Sequence, residues 1–487
     1  MGASSTDKVL ERNGVNAAAA LAIGFGAGLA VYGILEFWLD EVRDTRAPLT
    51  ALAFVVTFAL SLLLLDEDGA PLRSAPYAAA IAAFSSAPAY FMLWVLDYGE
   101  DIHLFPALFW VIAGAPLSIY VLTALAKAVF DERAPRYSAV FFNGLTLPLV
   151  FLIAAALWLL GAIILFAGAL LLRSNGVDGM HQLLQEPWFL PPLLGVIGAG
   201  SLALSRSQPK FLGAIRFIIL LASRALTPLF ATLSVMLLVM LAARGFDAAF
   251  VNAAPAATLL SVAFAGALAV NGVYQNGEAT PPPVWLRVSA ILVLATAPIF
   301  AAAAVYAMHL RIEQYGLTPP RVIALAIGGV ALLYGAIGVA ALTSEAKWRN
   351  KRWLPPLARL NMAAAGVWVF VLFALATPIA DPWRISARDQ VARVLNGKAD
   401  LSTFDFGYLK FQLGAAGERA LARLDRASGH PDYRIIQYGV ARSRDATSYW
   451  DYQNAPITLD DPTPLPDGPS RLELNPADNP AREDRTP

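Results

Sequence analysis

Up to residue 380 the chain alternates long apolar runs with short polar stretches. A helix needs about 20 apolar residues to cross the hydrocarbon of a bilayer. On that ruler the pattern predicts about eleven crossings, near 16–38, 48–65, 76–97, 104–129, 138–172, 187–205, 225–243, 255–275, 284–309, 320–343 and 359–380. The first run is as long as a full span rather than a short signal core, so it reads as a retained helix. The fifth run is too long for one straight crossing and contains Asn143-Gly144 and Pro148, so it predicts a tilt, a kink or an interfacial start. Residues 211–224 read as a surface amphipathic helix, with Lys210, Arg216 and Arg224 snorkelling, ahead of Pro228 and the seventh crossing.

The polar stretch from Arg311 to Arg321 packs more side-chain chemistries into one turn than any other in the apolar region. Arg311 suits the negative end of one helix, Gly316 supplies a turn, Thr318 can cap the next helix, and Pro319 and Pro320 fit its first turn. Hairpin geometry leaves Glu313, Tyr315 and Arg321 over. The competing reading has Arg311 or Arg321 holding a lipid phosphate or an acidic residue of the tail.

At Asp381-Pro382 the composition turns charged and polar, which divides the chain into an N-terminal segment 1–15, a helical bundle 16–380, an amphipathic tail 381–459 and a disordered end 460–487 rich in Pro and Asp. Within the tail, 386–395 reads as a short helix ended by Asn396-Gly397, 415–427 as a second helix, and 433–440 as a strand. Phe404, Asp405, Phe406, Tyr408, Leu409 and Phe411 form a dense patch suited to docking. About a hundred residues with so few large apolar side chains predict a tail that packs on the bundle or on a partner rather than on a core of its own.

Composition agrees with lipid as the solvent. With 57% apolar and 15% charged residues the chain lies outside the soluble range. Zero formal net charge gives no global field towards nucleic acid. No cysteine is present, which removes disulfides, thiolate nucleophiles and Cys-ligated metals. The four histidines are scattered without metal spacing, and no phosphate loop or nucleophile elbow occurs, so neither metal nor cofactor is expected. Trp38, Trp94, Trp188, Trp285, Trp353 and Trp383 fall near predicted helix ends and read as an aromatic belt. Gly24, Gly26 and Gly28 read as small residues that let helices approach closely. Lys and Arg concentrate in the N-terminus and in the loops after even-numbered helices, which predicts a cytoplasmic N-terminus and an extracytoplasmic tail.

Five phrases resemble a family of bacterial multi-pass membrane proteins known as domain of unknown function 4153. They are Ser201 to Arg206, Ala257 to Leu260, Val270 to Gly277, Arg311 to Arg321, and Phe404 to Phe411. The resemblance implies a bacterial cell-membrane origin and a helical bundle, and it carries over no catalytic residue.

Asn143, Asn271, Tyr274 and Gln275 are the polar side chains expected inside the membrane, where amides commonly bond across helices. Charges deep in the spans are nearly absent, which weakens an ion-coupled mechanism. The fold expected is therefore an all-α polytopic membrane protein of about eleven transmembrane helices with a small, mainly helical extramembrane tail. Its partners would be the bilayer and an envelope protein bound through the tail. The leading functional reading is a non-enzymatic envelope scaffold. The alternative is a transporter or channel for a small or amphipathic solute, marked by a cavity at Asn143, Asn271 or Thr296, and a third reading is an enzyme on lipid-linked substrates.

Overall fold

The computed structural model describes residues 5–39, 44–66, 71–96, 110–132, 136–249, 254–277, 281–344, 353–354 and 356–454, and among them there is helix and no strand. The expected 460–487 disorder and the first four residues lie outside the described residues. The bundle is built from α1 (Ser5–Ile34), α2 (Arg46–Leu65), α3 (Pro71–Leu96), α4 (Ala115–Glu132), α5 (Tyr137–Ser174), α6 (Gly179–Gln185), α7 (Leu190–Arg206), α8 (Pro209–Ala249), α9 (Ala254–Tyr274), α10 (Val284–Tyr315), α11 (Pro319–Ser344) and α12 (Leu357–Leu375). Four helices follow: α13 (Pro382–Leu395), α14 (Phe406–Asp425), α15 (Tyr433–Asp445) and α16 (Tyr449–Asn454).

Nine helices among the described residues are long and apolar enough to cross a membrane. Two of the eleven expected crossings fall outside that set. Pro76, Ser85, Ser86 and Pro88 interrupt the apolar sequence of α3. α7 is 17 residues long and bends by 93° from α6, and that bent pair would make a tenth crossing if it acts as one span. The surface helix expected at 211–224 is not separate, because α8 runs through Pro228 without a break. α5, at 38 residues, is about 57 Å long, so it extends well beyond a hydrocarbon layer of about 30 Å.

Small residues decide how the helices meet. α1 crosses α7 where Gly24 faces Gly195 and Gly28 faces Pro191 and Pro192; a β-carbon built on Gly24 would lie 2.3 Å from the Gly195 carbonyl oxygen. Backbones therefore touch there, as glycines four residues apart permit. Gly26 points into open space and takes no part. In the second half α10 is sandwiched by α8, α9 and α11, and its Ala290, Ala301 and Ala303 are fully buried.

The tail departs from expectation in three ways. Residues 433–440 are the start of helix α15, whose Ile436, Gly439, Val440 and Ser443 are buried at helical spacing. α14 begins at Phe406 rather than near 415 and is kinked at Gly414. The four helices also enclose a core of their own, in which Trp383, Val391, Val394, Phe406, Leu409, Leu421, Leu424 and Ile436 are buried together. Trp383 is thus a core residue of the tail and Trp353 is buried in a bundle cluster, whereas Trp38, Trp188 and Trp285 are exposed on the helical surface. The side chain of Trp94 lies outside the described residues.

Candidate functional site

The polar hairpin is the joint between bundle and tail. α10 continues to Tyr315, so Arg311 stands one turn short of its end. Gly316 follows at φ 78° and ψ 179°, a conformation essentially confined to glycine. The Thr318 carbonyl accepts the amide of Val322, which opens α11 with Pro319 and Pro320 in its first turn. Arg321 Nη1 donates to the Gly316 carbonyl at 2.8 Å, and its guanidinium lies 5.5 Å from the Tyr315 ring centre. Glu313 is exposed, with its carboxylate 3.7 Å from His309.

α13 grips this turn through its backbone. Asp389 Oδ2 accepts from the amide of Leu317 at 2.7 Å. Gln390 Nε2 donates to the Leu317 carbonyl at 3.1 Å and to that of Tyr315 at 3.4 Å. Arg393 donates to the carbonyls of Ile312, Glu313 and Gln314 at 3.3, 3.0 and 3.1 Å. The last carbonyls of a helix lack partners within it and carry its negative dipole end. A guanidinium from another helix meets both needs at once, so α13 completes the C-terminus of α10. Gly316 also leaves room for this grip, since a β-carbon there would lie 2.6 Å from Gln390 Nε2 and 2.9 Å from Arg393 Cδ.

The aromatic patch of the tail lies mainly inside the tail's own core rather than against the bundle. Phe406, Leu409 and Phe411 are buried in it, and Phe404 packs edge-on against Phe406 with ring centres 4.8 Å apart. Asp405 starts α14: one carboxylate oxygen accepts the Tyr408 amide at 2.8 Å and the other accepts the Tyr449 hydroxyl. Tyr408 lies within electrostatic reach of the hairpin. Burial pushes its phenol well above the ordinary range, and the nearby Arg321 charge pulls it partly back.

The opposite end of α10 carries a second polar constellation. Asn271 Nδ2 donates to the Tyr334 hydroxyl at 2.7 Å, Tyr334 donates to Asn361 Oδ1 at 3.0 Å, and Asn361 Nδ2 donates to Asn271 Oδ1 at 2.9 Å. The three close a ring that ties α9, α11 and α12. Asn361 reaches α5 as well, donating to the Tyr137 hydroxyl at 3.1 Å. Tyr274 packs its ring between Tyr137 and Trp353, with centres 5.9 and 6.1 Å away. Gln275, at φ 57°, takes the left-handed turn that ends α9. Thr296 returns its hydroxyl to Leu292 on its own helix. Asn143 joins neither constellation and lines a cleft near the start of α5.

Residues 19–424 match the family profile described as Domain of unknown function (DUF4153). The chain belongs to this family. The DUF4153 match takes in the hairpin, the α13 grip and the asparagine ring, and it ends at the last turn of α14. With its apolar helices, this makes the chain an integral, multi-pass membrane protein. No curated protein and no solved structure matches it.

Sequence reasoning identified the hairpin and missed what grips it. Asp389, Gln390 and Arg393 recur on one flank of a short helix whose other flank holds Ala387, Val391 and Val394. That two-sided pattern was the available signal, and it marks a helix packed on both sides. Tyr334 and Asn361 stand as single polar residues in apolar runs, with nothing in sequence spacing to pair them with Asn271.

Proposed function

We propose that this DUF4153 protein is a non-enzymatic scaffold of the bacterial inner membrane that presents α13–α16 as a rigid platform for an envelope partner. In this reading α3 and α7 cross as well, giving eleven crossings, with residues 1–15 cytoplasmic and 381–459 outside the membrane. The observation that carries it is the grip of Asp389, Gln390 and Arg393 on the α10–α11 turn. Those contacts hold a helical unit with its own core against the end of a buried hairpin. Trp450, 75% exposed on α16, is a large apolar side chain available to a partner.

Two measurements test the reading. A reporter fused after Asn454 is expected to be active only when exported. A photo-crosslinking residue at Trp450 is expected to capture a defined envelope protein, and the adduct is expected to fall when Arg393 is replaced while the amount of protein in the membrane stays the same. A second reading, a transporter of an amphipathic solute, draws on the cleft at Asn143, although Asn271 and Thr296 are not among its lining residues. Solute flux in liposomes that carry only the purified protein would replace the scaffold reading with that one.

A further inference from the structure

At the face opposite the tail, the ends of α2, α4 and α7 and the starts of α5 and α8 surround a cleft of about 550 Å³. Three of its lining residues are cationic: Lys127, Arg206 and Arg216. None of its described lining residues is acidic. Lys127 is only 7% exposed, so its ammonium sits where water screens little.

Each arginine is held in place by the protein. Arg206 donates to the carbonyl of Asp66 at 3.0 Å and to that of Leu63, closing the end of α2 and standing at the cleft wall. Arg216 donates to Thr146 Oγ1 at 3.0 Å and lies over the Phe142 ring at 4.1 Å. Both therefore enter binding with little side-chain freedom left to lose. Asn143 supplies a different kind of signal. The residue is 4% exposed, it lines the cleft, and its side-chain nitrogen is buried without a hydrogen-bond acceptor among the described groups. A buried donor left in this way is costly, and an acceptor arriving in the cleft removes the cost. Ser138 and Asn276 line the same space. The remaining wall is apolar, from Leu64, Leu147, Val150 and Leu212.

From fixed cations, a buried donor without an acceptor and an apolar wall, we infer that this cleft binds a phosphoryl anion. Two sources share that chemistry: the headgroup of an anionic lipid, whose chain would lie on the leucines, and free phosphate. The site is independent of the scaffold reading, because it lies at the other end of the bundle from the grip of α13.

Full-length protein purified in a neutral detergent is titrated with phosphatidylglycerol, phosphatidylcholine and inorganic phosphate and followed by native mass spectrometry and thermal melting. The expected result is a one-to-one adduct with phosphatidylglycerol that raises the melting temperature, weakens with salt and is at least tenfold weaker with phosphatidylcholine. Lys127→Gln and Arg216→Gln are expected to weaken it at least tenfold. Asn143→Asp, nearly isosteric, introduces a like charge and is expected to abolish it while the protein still melts cooperatively. Protection by inorganic phosphate, lost in the same variants, would support the site with free phosphate as its ligand. Equal binding of the two lipids, equal binding by wild-type and Asn143→Asp protein, or no binding of any of the three probes would overturn the inference.

Discussion

Arg393 Nη2 stands 3.0 Å from the carbonyl oxygen of Glu313, across 80 residues of chain. That contact and its neighbours at Ile312 and Gln314 place a cation on the C-terminal end of a 32-residue helix. The bundle and the tail therefore share one helix terminus, and the behaviour of either should report on the other.

Replacing Arg393 by Ala removes three charge-assisted hydrogen bonds and leaves the α10 carbonyls to solvent. Because the site is partly exposed, the expected loss is about 1–2 kcal/mol rather than the sum of the contacts. Hydrogen exchange should rise in 312–317 and in α13 while α9 and α11 stay protected. Arg393→Lys should recover only part of the loss, since one ammonium cannot reproduce the fork.

Gly316→Ala should be worse than Arg393→Ala. The new side chain meets a strained backbone at φ 78° and collides with Gln390 and Arg393. Backbone strain alone costs on the order of 1–3 kcal/mol, and the collision pushes α13 away as well. The check is proteolysis of membranes with chymotrypsin, with faster release of the tail expected.

The asparagine ring should be cooperative. Asn361→Leu removes one member and leaves Asn271, Tyr334 and Tyr137 each short of a bond, for an expected loss of about 1–3 kcal/mol. Tyr334→Phe should cost less alone. In the double variant the two losses should fail to add, measured as melting temperature in detergent against both single variants.

Asp381 gives the tail a pH dependence. Burial raises its carboxyl above the ordinary carboxylate range, outweighing the amide of Trp383 and the charge of Arg384. A raised value in the folded state means stability that is fully present below the unfolded value and lost as pH rises through the folded one. Asp381→Asn keeps an acceptor for the Trp383 amide, bonded at 3.0 Å in the wild type, without the buried charge. The variant should be the more stable at pH 7 and should lose that advantage below about pH 4. Hydrogen exchange of α13 at the two pH values reads the difference.

Much of the architecture was legible because lipid imposes a one-dimensional rule. Any backbone in hydrocarbon must bond to itself, so a long apolar run is a helix whatever surrounds it. The hairpin at 311–321 was legible for a similar local reason, since glycine and paired prolines act on their own backbone. The tail was less legible. Tyr433, Ile435, Ile436 and Val440 have strand composition, yet Ile436 and Val440 lie four residues apart and are buried together in a helical core. There the packing of α14 against α15 overrode local preference.

Taken alone, the sequence determined that this chain lives in a membrane, where most of its helices begin and end, and which turn is rich in polar chemistry. The tertiary structure decided what touches that turn, which asparagines close a ring, and that Lys127, Arg206 and Arg216 share one cleft with Asn143. The reason is physical: hydropathy and turn propensity act within a few residues along the chain. A carbonyl without a partner or a buried amide can be satisfied by any helix that arrives beside it, and only the packing says which.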